Sequence, residues 1–96
     1  MAVYMIAEIN VNDPAGFEGY RDAVPATIAQ YGGKYLVRGG TVAPLEGDWA
    51  PRIVVLEFPD LETAQRWYNS PEYSAIKGGR TSASDGRMVL VEGIQP

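Results

Sequence analysis

Residues 52–60 read Arg52-Ile53-Val54-Val55-Leu56-Glu57-Phe58-Pro59-Asp60, and both faces of this one stretch bear on the fold. Seven residues dominated by β-branched and aliphatic side chains form a strand, which Pro59 ends because it has no N–H to give a ladder. Asp60 suits the N-cap of a following helix. Along the strand Arg52, Val54, Leu56 and Phe58 share one face, while Ile53, Val55 and Glu57 share the other. A sheet with helices on one face and water on the other alternates apolar with polar. Here both sets are mainly apolar, so both faces need cover.

Upstream, Ala2 to Val11 is a strand of the same kind, stopped at Asn12-Asp13-Pro14. Asp13 is placed to cap a helix whose first position Pro14 tolerates well. Phe17, Tyr20, Val24, Ile28 and Tyr31 recur every three or four residues and give that helix one apolar stripe. Pro25 lies inside the stripe and predicts a bend in one helix rather than two helices. Gly32-Gly33 supplies the stop. Lys34 to Arg38 is the second strand; Gly39-Gly40 reads as a bulge, after which Thr41 to Leu45 continue it to a turn over 46–51.

Downstream, a second helix carries Leu61, Ala64, Trp67 and Tyr68. Ser70-Pro71 restarts a short helical piece with Tyr73 and Ile76. Gly78 to Gly86 reads as a polar loop closed by the turn dipeptide Asp85-Gly86, and Arg87 to Ile94 as the last strand. The order is β-α-β-β-α-β within one expected domain, 1–96. It predicts an α+β, ferredoxin-like arrangement: a four-stranded antiparallel sheet with both main helices on one face.

The other face then has no helices. Val3, Met5, Ala7, Ile9 and Val11 alternate with Tyr4, Ile6 and Glu8, and Met88-Val89-Leu90-Val91 is unbroken. A bare face of this kind exceeds the apolar patch of an ordinary monomer. A homodimer is the expected cover; the short helical piece and long loops are the alternative.

Composition excludes several chemistries. A net charge of −4 with no run of Lys or Arg disfavours nucleic acid. The chain has no Cys and no His, so thiolate and His-based nucleophiles, disulfides and the commonest metal ligands are unavailable. No metal and no cofactor is expected. Met1 to Asn10 lacks the basic start of a signal peptide and contains Glu8, and no apolar run reaches the ~20 residues of a membrane helix. A cytoplasmic protein without a membrane partner is expected.

Trp67, Tyr68 and Tyr73 flank the break between the second helix and the short piece. They could line a pocket for an aromatic metabolite with Tyr73 as hydrogen-bond donor, or be core. Arg38 and Arg80 could each hold a carboxylate or phenolate through a guanidinium fork, or pair with Asp85, Glu57 or another acid. Asp85 completes the ligand-binding candidates: Arg38, Trp67, Tyr73, Arg80 and Asp85. Glu8 and Glu57 could serve as bases if half-buried, but a pair with Arg52 or Arg87 is the commoner outcome. Gly32-Gly33-Lys34 lacks phosphate-loop spacing, and no G-x-G-x-x-G occurs.

The runs Arg38-Gly39-Gly40, Leu45-Glu46-Gly47-Asp48-Trp49, Glu57-Phe58-Pro59, Trp67-Tyr68-Asn69-Ser70-Pro71-Glu72-Tyr73 and Ser84-Asp85-Gly86 resemble the domain-of-unknown-function family thirteen-thirty. The resemblance spans nearly the whole chain. It implies the dimeric α/β-barrel superfamily, in which two ferredoxin-like sheets face each other. That superfamily also holds cofactor-free monooxygenases, some with Trp and Tyr from the region of Trp67 and Tyr73, together with isomerases and haem-dependent enzymes. One departure stands out: Lys77-Gly78-Gly79-Arg80 puts two poor helix formers where relatives continue a helix, so an earlier helix end is expected. The leading functional expectation is a dimer binding a small apolar or aromatic metabolite between sheet and helices. The alternatives are a cofactor-independent monooxygenase or isomerase, and a non-catalytic interaction or stress-related protein.

Overall fold

The strand at 52–58 runs second in a four-stranded sheet, in a computed structural model that describes residues 1–95. In chain order the elements are β1 (Val3–Val11), α1 (Pro14–Gln30), β2 (Lys34–Arg38), β3 (Arg52–Phe58), α2 (Leu61–Tyr68), α3 (Pro71–Thr81) and β4 (Ser84–Glu92). The sheet order is β2-β3-β1-β4, every pair antiparallel. This is the ferredoxin-like arrangement, with the short helical piece grown into a full third helix.

The caps are those the sequence names. Asp13 accepts the Gly16 N–H at 3.1 Å, Asp60 the Thr63 N–H at 2.7 Å, and Ser70 the Tyr73 N–H at 3.1 Å. α1 passes through Pro25 as one helix. It ends where Gly32 takes a positive φ of 74° and the Gly33 N–H returns to the Ile28 carbonyl at 2.9 Å.

Alternation sorts the sheet's faces. Val3, Met5, Ala7 and Ile9 of β1 and Val54, Leu56 and Phe58 of β3 are buried beneath α1 and α2 with Phe17, Tyr20, Val24, Ile28, Ala64 and Trp67. On the opposite face the register aligns Val91, Tyr4, Glu57 and Lys34 in one row, and Val89, Ile6, Val55 and Val37 in the next. Arg87, Glu8 and Ile53 form a third. Val89 is 55% and Val91 46% exposed. This face carries no helix.

Three expectations are corrected. Residues 41–45 are not strand, and the irregularity in β2 lies between Tyr35 and Val37 rather than at Gly39-Gly40. β2 is an edge strand and β3 begins only at Arg52, so residues 41–45 have no strand opposite them. Gly39, at φ 70°, turns the chain away. Next, α3 does not stop at the glycines but continues to Thr81. A Cβ on Gly79 would stand 3.3 Å from the Tyr20 Cβ, so the missing side chain lets α3 lie close on α1. Finally, Asp85-Gly86 is strand, paired with Asn10 and Ile9. A side chain at Gly86 would strike the β1 backbone, so this glycine permits a close strand approach and not a turn.

Candidate functional site

Between the sheet and α1 the packing leaves a cavity of about 30 Å³, walled by apolar side chains of β1, β3 and α1. That is room for water rather than for a metabolite, whose pockets run to roughly 300 Å³ or more. Its rim, at the β2 edge, is formed by Arg21, Tyr35, Arg38 and Arg52. β2 sends Tyr35 and Arg38 to the same face, and the Arg38 guanidinium lies 4.8 Å from the Tyr35 ring centroid. Arg38 also donates to the Arg21 carbonyl at 3.3 Å. Arg52 begins β3 on the core face and stands 5.7 Å from the Phe17 ring centroid. Burial pushes the Tyr35 phenol up, while Arg38 and Arg52 pull it the other way.

Trp67 and Tyr73 lie deeper, 1% and 0% exposed. Their ring centroids are 4.3 Å apart, and Phe58 packs 5.4 Å from Trp67. Each polar atom has a partner. The Trp67 indole N–H donates to Thr27 Oγ1 at 3.1 Å, and the Tyr20 and Tyr73 hydroxyls share a hydrogen bond of 2.9 Å. Arg80 Nε donates to the Tyr73 hydroxyl at 3.2 Å. Burial first, and Tyr73 second, hold the Tyr20 phenol far above its ordinary value, so it is a neutral hydrogen-bonding group at physiological pH.

The five residues singled out by sequence therefore divide. Trp67, Tyr73 and Arg80 form one cluster, and Arg38 meets Trp67 only across the cavity. Asp85 stands apart, accepting from Asn12 Nδ2 at 2.9 Å. Neither Arg38 nor Arg80 pairs with Asp85 or Glu57. The Glu57 carboxylate takes Lys34 at 3.3 Å, and Arg80 sits on a helix rather than in a loop. Glu8 does pair with Arg87, at 2.6 Å, and also accepts the Ala50 N–H at 3.1 Å. The Ala50 bond first, and Arg87 next, hold its carboxyl below the usual range.

Tyr20, Thr27, Tyr35 and Arg52 were not among the sequence candidates. The sequence did carry a signal for Arg52, since alternation puts it on the same face as Val54, Leu56 and Phe58. Nothing in the chain's order announces that Thr27 meets Trp67. Among the described residues no cluster of acid side chains could hold a metal ion, and no helix is long and apolar enough to cross a membrane.

A four-stranded antiparallel sheet covered on one face by helices defines a ferredoxin-like α+β protein. Solved structures share that fold. A protein of unknown function from Rhodopseudomonas palustris aligns at a TM-score of 0.76 and 16% identity, over 99% of this chain and 84% of its own. A dimeric ferredoxin-like protein of unknown function from Jannaschia aligns at 0.74 and 9% identity, over 97% and 100%. SnoaB, a cofactor-independent oxygenase from Streptomyces nogalater, aligns at 0.64 and 18%, over 99% and 95%. The chain belongs to the family described as a domain of unknown function, DUF1330, whose model matches residues 2–94. No curated protein matches it.

Proposed function

We propose that this protein is a homodimer whose two sheets pair through their open faces, each copy binding a small, largely apolar or aromatic metabolite at the rim of the cavity beneath α1. The observation that carries the assembly is the open face itself. Tyr4, Ile6, Ile53, Val55, Val37, Val89 and Val91 make it apolar across all four strands, and Trp49, 49% exposed, stands beside it. The dimeric ferredoxin-like protein from Jannaschia supports this reading.

The ligand site rests on the cavity rim. Tyr35 and Arg38 belong to an edge strand and close the rim with side chains alone. Admission of a ring requires these side chains to rotate outward, a movement that leaves the β2–β3 ladder paired. A second reading, a cofactor-independent oxygenase or isomerase, draws on the likeness to SnoaB and on the hydrogen-bonded chain Arg80–Tyr73–Tyr20. The complete burial of Trp67 and Tyr73 favours a third, in which the interior is core and the dimer itself is the functional unit.

One paired measurement separates them: thermal melting with titration against neutral and acidic aromatic compounds, followed by dioxygen uptake with any compound that binds. Saturable binding that raises the melting temperature supports the pocket. Turnover with dioxygen supports the oxygenase. Binding by no compound eliminates both and leaves the non-catalytic dimer.

A further inference from the structure

Arg38 and Arg52 project from neighbouring strands onto the same face, at the rim of the same cavity. Four ion pairs occur among the described residues, and neither arginine is in one of them. Lys34 and Arg87 have taken Glu57 and Glu8 on the opposite face, so those two acids are committed elsewhere. Arg38 has one long bond to a carbonyl. Arg52 is the more telling, because its Nε is buried and has no acceptor at all. A buried donor on a charged group is costly to leave unpaired, and such groups in folded proteins nearly always find a partner. The nearby backbone makes room for the guanidinium: a Cβ on Gly39, whose φ is +70°, would come within 2.5 Å of Arg52 Nη1.

We propose that Arg38 and Arg52 form a clamp for the carboxylate of an organic acid whose apolar or aromatic body lies on the cavity wall. The guanidinium fork matches the two oxygens of a carboxylate, and a carboxylate held between two forks at the rim supplies the acceptor that Arg52 Nε lacks. Phe17 and Val24, apolar residues of α1 in the same cavity wall, are suited to an apolar body rather than a second charge. This assignment rests on the ligand-binding reading above and adds the class of ligand.

Titration calorimetry of the full chain with 2-naphthoate, 2-naphthamide and inorganic phosphate tests it. The expected result is that naphthoate binds at least roughly tenfold more tightly than its neutral amide, and that Arg52→Gln and Arg38→Gln each remove that preference. A charge-assisted hydrogen bond corresponds to roughly tenfold to over a hundredfold in affinity. Arg52→Gln should not lower the melting temperature of the unliganded protein, because it removes an unpaired charge. Should that variant fail to fold, the clamp is contradicted at Arg52, and Arg38→Gln, on an exposed side chain, still reads the preference. Equal binding of acid and amide overturns the clamp and leaves the pocket standing. Binding of neither overturns both. Tighter binding of phosphate than of naphthoate overturns the ligand class.

Discussion

Glu8 shows how much one residue in a strand can hold. Its carboxylate joins β1 to the β4 side chain of Arg87 and fixes the end of the 39–51 loop through the Ala50 N–H. The native carboxyl is held below its ordinary value of 4.5, so the ionised form favours the folded state. That contribution is complete above the unfolded value and is lost as pH falls through the lower native one. The expected outcome is a melting temperature that declines on acidification below about pH 4.5. Glu8→Gln should lack this component when the two acid melts are compared. Tyr73 is the second such residue. Tyr73→Phe leaves the buried Tyr20 hydroxyl and Arg80 Nε without their partner, which should cost about 1–3 kcal/mol in denaturant unfolding. Retention of full stability would show that these hydrogen bonds are replaced by others.

At the scale of elements, α1 and α3 are fitted by two adjacent glycines with different roles. A Cβ on Gly78 meets nothing within 4 Å, whereas one on Gly79 crowds Tyr20. Gly78→Ala should therefore stabilise the protein by up to about 1 kcal/mol through helix propensity alone. Gly79→Leu should destabilise it by about 1–3 kcal/mol through overpacking. Thermal melts of the two variants should move in opposite directions. The same pair marks the boundary of what was legible in sequence. Local signals placed the caps at Asp13, Asp60 and Ser70 and the strand at 52–58, because each depends on neighbours a few residues away. The roles of Gly79 and Gly86 are not local, because each glycine is explained by an element distant in sequence, Tyr20 of α1 and the backbone of β1. Residues 41–45 are a related case: their types allow a strand, but sheet order leaves them without a partner. At the site, Trp67, Tyr73 and Arg80 could be selected by residue type, and their convergence with Tyr20 and Thr27 arises only when α1 packs on α2 and α3.

For the whole molecule, the sheet is the common ground of fold and function. Its covered face buries the core, and its open face is apolar enough to need a second surface. Val89 lies in the middle row of that face and is 55% exposed. A charge there should be tolerated by a lone copy and not by a pair. Val89→Glu is expected to keep the far-ultraviolet spectrum and to lower the molar mass in solution to that of one chain. The most direct test of the central claim is the mass of the unaltered protein by size-exclusion chromatography with light scattering at low micromolar concentration. Two-fold pairing predicts twice the 10.4 kDa chain, ~21 kDa. A folded species of 10.4 kDa, with its sheet intact and its open face in water, would contradict it.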